Sequence, residues 1–104
     1  MGKPSRDKGY RRERELVLLL RSWGLEAERV PLSGGTNYAK GDVDVYRKGH
    51  RKGIDAPLII EIKGRAKIPE YIKEWLGDHD MLVLHPDRGD RLIIMPEKTL
   101  RELL

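Results

Sequence analysis

The apolar run Leu58-Ile59-Ile60 leads directly into Glu61-Ile62-Lys63, and upstream of it stands the alternating stretch Asp42-Val43-Asp44-Val45-Tyr46. Short aliphatic runs and strict polar–apolar alternation both read as strands, the first more buried than the second. Successive side chains of a strand point to opposite faces, so Glu61 and Lys63 share one face while Ile60 and Ile62 fill the other. Asp42 and Asp44 likewise share a face and leave Val43 and Val45 for the core. If the two strands pair, an aspartate lies beside Glu61 within reach of one cation. Glu-x-Lys or Asp-x-Asp alone arises often by chance, but their joint placement with an inward glutamate of the first helix, Glu13, is hard to explain as solvation, because unpaired carboxylates are costly to bury.

The remaining elements follow from spacing. Leu16, Leu19, Leu20 and Trp23 recur at helical intervals and predict a helix from about Gly9 to Trp23, stopped by Gly24. Glu13 falls near the apolar stripe of that helix, one turn ahead of Leu16 and Val17, and Glu15 falls on the opposite face. A short strand is expected over Glu26 to Val30, ended by Pro31, and Ser33-Gly34-Gly35-Thr36-Asn37 has loop chemistry. Strands are then expected over Asp42 to Tyr46 and Leu58 to Lys63, joined by the basic turn Arg47 to Gly53. Pro69 to Leu76 predicts a second helix with Ile72, Trp75 and Leu76 facing inward. Met81 to His85 and Leu92 to Met95 are two further strands across the turn-rich Pro86 to Asp90, and Glu97 to Leu104 is a last short helix. The expected class is α/β, a small mixed sheet flanked by helices, in one domain over residues 1–104 with a flexible basic segment at 1–8.

A chain of 104 residues has room for one core, which without Phe must rest on Leu, Ile and Val. The absence of Cys excludes disulfides and thiolate metal ligands. No apolar stretch approaches the roughly 20 residues of a membrane span and no signal-peptide pattern opens the chain, so a soluble protein of the cytoplasm is expected. The net charge is only +4, but the basic residues cluster at Lys3 to Arg14, at Lys40 to Lys52 and at Lys63 to Lys67, which suits a polyanion.

Hard oxygen ligands such as Asp42, Asp44 and Glu61 suit Mg²⁺, with Mn²⁺ as a substitute, and leave coordination positions for water and a phosphate oxygen. Lys63 at the same edge could orient or deprotonate the attacking water or neutralise charge developing on the phosphate, and since a lysine among carboxylates keeps its proton the last role is favoured. Other chemistries find no support. His50, His79 and His85 lack paired zinc-ligand spacing, Ser33 has no recognisable His partner, and Gly34-Gly35 is not followed by the Gly-Lys-Ser/Thr of a nucleotide loop. Trp23 reads as core, and Trp75 beside Tyr71 as core or a dimer surface, with core favoured.

Lys8-Gly9 with Glu13 to Val17, Arg29 to Gly34, Gly41 to Val45 and Ile59 to Arg65 together resemble the PD-(D/E)xK nuclease superfamily, and more closely the archaeal and phage Holliday junction resolvases of the Hjc type. The resemblance runs from Lys8 to about Arg65 and implies a restriction-endonuclease-like core. It implies Asp42 and Glu61 as direct metal ligands, Ile62 and Asp44 within the same metal site, Glu13 contributing from the first helix, and Lys63 as the catalytic lysine. Ser33 would sit in a loop near the cleaved bond. DNA would be held by Lys8, Arg11, Arg12, Arg14, Ser33, Lys40, Arg65 and Lys67. It further implies a homodimer that nicks opposing strands of a four-way DNA junction, without a small-molecule cofactor, in a nucleoid-associated setting or in the host cytoplasm if the chain is phage-encoded. Two other readings stay open: a restriction-like or repair nuclease on linear or branched duplex, and a non-catalytic basic DNA-binding module.

Overall fold

The leucine spacing does produce a helix, and it reaches further toward the N-terminus than the apolar stripe alone requires. In a computed structural model, which describes residues 3–30 and 41–104 with side chains from Gly9 onward, α1 spans Lys3–Ser22 and so takes in the basic segment. Its C-terminus closes as the sequence demands. The Gly24 N–H donates to the Arg21 carbonyl (2.9 Å) and the Leu25 N–H to the Leu20 carbonyl (3.2 Å), with Gly24 at φ 86°. This is a Schellman closure, which needs a left-handed residue that glycine supplies without steric cost. Leu25 is buried just after the turn and starts the chain back along the helix.

Strands β1 (Glu26–Arg29), β2 (Val43–Tyr46) and β3 (Leu58–Ile60) form a three-stranded sheet in that order, antiparallel throughout. Val43 pairs with Arg29 and Ile60, and Val45 with Ala27 and Leu58. Period-two alternation therefore puts Ala27, Val43 and Val45 on one face, where they are buried together with Val17 and Leu20 of α1. Full burial of Leu20, Val43 and Val45 stabilises the fold by about 1.5–3 kcal/mol per side chain. Polar ties join helix and sheet at their margins. Arg21 Nε donates to the Ala27 carbonyl at 3.0 Å, and the Arg29 guanidinium bonds Glu13 Oε1 at 3.0 Å while lying over the Tyr10 ring.

The basic connection between β2 and β3 is fastened to β1. Lys52 Nζ bonds Glu28 Oε2 at 2.7 Å, the Lys52 N–H reaches Glu26, and the Arg51 N–H donates to Asp55 Oδ2 at 2.8 Å. The Glu28 carboxylate, through its hydrogen bond and its charge, raises the Lys52 pKa above the ordinary lysine value. Burial pushes the Tyr46 phenol up as well, with Glu28 and Asp44 adding to the effect.

Residues Met1–Gly64 make one compact unit and Arg65–Leu104 a second. The second contains α2 (Glu70–Leu76), a hairpin of β4 (Leu82–Leu84) and β5 (Leu92–Ile94), and α3 (Glu97–Leu103). Thr99 is buried and its Oγ1 donates to the Asp80 carbonyl at 3.1 Å. The inward role expected for Trp75 is corrected here: α2 has no buried residue, and Trp75 is 56% exposed in an edge-to-face contact with Tyr71. The α/β class with helices beside a small sheet holds, with two antiparallel sheets among the described residues. Among those residues no helix is long and apolar enough to cross a membrane.

Candidate active site

The β2–β3 ladder ends where the acids begin. Its register pairs Val43 with Ile60, and the next residue, Asp42, is bonded to Ile60 and Ile62, the residues on either side of Glu61. Asp42 is fixed on three sides. Its N–H donates to the Ile60 carbonyl (2.8 Å), its carbonyl accepts from the Val30 N–H (2.9 Å), and its Oδ2 accepts from the Ile62 N–H (2.8 Å). The last bond explains why β3 stops at Ile60 rather than continuing to Lys63: the carboxylate takes the donor that a longer ladder would have used. An N–H bond to a carboxylate oxygen is charge-assisted and short, and it orients the Asp42 side chain toward the Glu61–Lys63 segment.

Glu61 and Lys63 are both exposed and pair at 3.0 Å (Glu61 Oε2 to Lys63 Nζ). Asp44 lies one pair further along the same face as Asp42, between Glu28 and Ile59. Glu13 has a side chain only 15% exposed, as its place near the helix stripe predicts, and its Oε1 is held by Arg29. Asp42 is thus tied to the main chain on either side of Glu61, Asp44 stands two residues further along the same strand face, and Glu13 is tied to β1. Among the described residues no group of three or more His, Asp or Glu side chains closes around a common point. The chemistry of the donors still fits a hard cation, since among the described residues Asp42 commits only Oδ2, to the Ile62 N–H, and Glu61 is solvent-accessible.

Of the expected DNA contacts, Arg11 and Arg14 are exposed on α1 and Arg12 is half-buried. Arg65 and Lys67 are exposed at the start of the second unit. Ser33, Lys40 and the side chain of Lys8 lie outside the described residues. His50, His79 and His85 are exposed. Sequence reasoning did not anticipate the Arg29–Glu13 bond or the Ile62–Asp42 bond. Each joins segments 16 or 20 residues apart, and no short-range spacing signals such a pair.

An α/β fold in which an edge strand runs into Glu-x-Lys beside an anchored aspartate has the parts of a nuclease. The family model described as archaeal Holliday junction resolvase (Hjc) matches residues 4–83, well over half of the chain, including α1, the whole three-stranded sheet and the acids at its edge. The chain belongs to this family. At that level it is a nuclease of Holliday junctions, with the DNA binding and recombination role that go with it. The match begins before Lys8 and runs past Arg65 into β4, so the likeness is longer than the motifs alone carry. No curated protein and no solved structure matches the chain.

Proposed function

We propose that the chain is a divalent-metal-dependent endonuclease that resolves four-way DNA junctions by paired nicks from a homodimer, with residues 1–104 acting as one nuclease domain. The observation that carries this reading is the anchored Asp42, bonded to the main chain of Ile60 and Ile62, the residues on either side of Glu61. Asp42 and Glu61 would hold Mg²⁺ or Mn²⁺, with Ile62, Asp44 and Glu13 completing the surroundings. A cation bound there polarises a phosphate oxygen and lowers the pKa of a bound water.

The chain's own groups have separate tasks. The Ile62 N–H fixes the rotamer of Asp42, so one of its oxygens stays aimed while the other is left to a ligand. Glu61 keeps the Lys63 side chain at the same edge, able to offset charge that develops on the phosphate. Arg29 orients Glu13 from the neighbouring strand. Exposed Arg11, Arg14, Arg65 and Lys67 suit phosphate contacts that give affinity without base readout and weaken steeply with salt. The exposed apolar residues of the second unit, Tyr71, Trp75, Val83, Leu92 and Ile93, support a dimer surface.

The test is a labelled four-way junction incubated with and without Mg²⁺, beside linear duplex of the same sequence. Wild-type protein should cut the junction in Mg²⁺ and spare the linear duplex. Glu61→Ala and Asp42→Asn should each lower cleavage by at least about a hundredfold, about 2.7 kcal/mol of transition-state stabilisation, with junction binding retained. Asp42→Asn keeps an acceptor for the Ile62 N–H, which separates loss of charge from loss of the anchor. Equal cutting of linear and branched DNA would turn the reading toward a repair or restriction-like nuclease. Junction binding with no metal-dependent cleavage would make the chain a binding module.

A further inference from the structure

We propose that Arg12 grips a backbone phosphate of the bound DNA from a seat on Gly64, next to the Glu61–Lys63 pair, and that residue 64 lacks a side chain so that this seat exists. The proposal rests on the nuclease reading and gives one cation a fixed place within it. Arg12 leaves α1 half-buried, whereas Arg11 and Arg14 beside it face solvent. A Cβ built on Gly64 would overlap the Arg12 guanidinium, whose Nη1, Cζ and Nε are the three heavy atoms nearest to it. The backbone gives no other reason for glycine, since Gly64 is not among the glycines with positive φ. A side chain at residue 64 would push the Arg12 guanidinium out of this position, and the flexible arginine would swing elsewhere.

The seat has chemical consequences. Gly64 directly follows Lys63, so the Arg12 cation stands at the segment that carries the Glu61–Lys63 pair. No ion pair among the described residues uses Arg12, so its charge is not consumed by a carboxylate there. A guanidinium offers planar, forked donors that match phosphate oxygens, and one held against main chain loses less freedom on binding than a swinging surface arginine. A cation fixed beside the catalytic lysine is placed for the strand that is to be cut.

Full-length Gly64→Ala, Arg12→Gln, Arg12→Lys and the double Arg12→Gln/Gly64→Ala test this. Binding to a fluorescent four-way junction is measured in EDTA across a salt series, where no cleavage occurs, with thermal midpoints taken in parallel. Gly64→Ala and Arg12→Gln should each weaken binding about tenfold and reduce the slope of log affinity against log salt by about one. The double variant should match either single, because both remove the same seated cation. Arg12→Lys should fall between wild type and Arg12→Gln. Wild-type affinity and slope in Gly64→Ala, or an additive double variant, would overturn the proposal. So would a lowered thermal midpoint with an unchanged salt slope, which marks a packing role alone. Should Gly64→Ala fail to fold, the Arg12 variants decide through the same slopes. The nuclease reading fails separately, through absent Mg²⁺-dependent cutting by wild-type protein, and leaves the binding slopes interpretable.

Discussion

The two compact units divide the work of the chain unequally. In Met1–Gly64, side chains from helix and sheet meet in a core of Val17, Leu20, Leu25, Ala27, Val43, Val45 and Tyr46, and arginine and lysine bonds fasten its margins. In Arg65–Leu104, the hairpin is apolar on both faces and Val83, Leu92 and Ile93 are exposed, while Thr99 is buried. The difference traces to pattern. A strand that alternates aliphatic and acidic residues has one face to bury and one to use, whereas Leu82-Val83-Leu84 against Leu92-Ile93-Ile94 has two faces to bury and no polar one. The first pattern sets acids beside a packed core, and the second leaves aliphatic side chains exposed.

The sharpest way to break this contrast is to remove equivalent bulk from each unit. Leu20→Ala should destabilise the protein by about 2–5 kcal/mol, since Leu20 has no exposed surface and its loss leaves a cavity between α1 and the sheet. Ile93→Ala should cost less than about 1 kcal/mol, because that side chain is already more than half in water. Urea midpoints of the two variants provide the check. If the costs prove equal at low protein concentration, the second unit has packing that its exposure conceals. If the cost of Ile93→Ala grows with protein concentration, burial between two copies supplies it.

Which parts could be read from sequence follows the same divide. Val43 and Val45, Asp42 and Asp44, and the leucine stripe of α1 lie in strictly periodic segments, where burial and spacing are one statement, and their faces are as the periodicity requires. Trp75 was misjudged because aromatic residues at helical spacing report an apolar stripe without reporting that anything covers it. The end of β3 was set three residues too late, since the donor that stops it, the Ile62 N–H, is taken by a side chain 20 residues earlier. Within the site, the alternation made legible that Asp44 leaves Val43 and Val45 to the core. The restraint of Glu13 by Arg29 was not, because a long-range ion pair has no periodic signature.

A smaller effect sharpens the comparison from the side of the second unit. Thr99 joins α3 to the segment before β4 through its bond to the Asp80 carbonyl, and it is buried where its neighbours Glu97, Lys98 and Arg101 are exposed. Thr99→Val keeps the shape and removes the donor, and should cost about 0.5–1.5 kcal/mol. Hydrogen exchange should localise the loss: amides of β4 and β5 should exchange faster while those of β1 and β2 stay protected. Uniform acceleration across both sheets would mean that the units open together, and the contrast between them would then be one of composition and not of cooperativity.

The smallest effect belongs to the tie between the basic turn and β1, and it depends on pH. Lys52 gains a hydrogen bond and an opposite charge from Glu28, so its pKa in the folded chain lies above the unfolded value near 10.5. Tyr46, buried near Glu28 and Asp44, holds its proton above its ordinary value near 10.0. In both cases the folded state binds the proton more tightly than the unfolded state does. Their contribution is therefore complete below the unfolded values and is lost as pH rises through the raised folded ones. Urea midpoints should stay level from about pH 7 to 9 and fall above about pH 10, on account of these two groups. Glu28→Gln removes the first cause at Lys52 and one of the charges acting on Tyr46, so it should flatten that fall. Both partners are substantially exposed, with side chains 56% and 35% accessible, so added salt should shrink the difference between wild type and variant. An alkaline slope that Glu28→Gln leaves intact would place its origin elsewhere and reduce the Lys52–Glu28 pair to a surface contact that holds the turn without stabilising the fold.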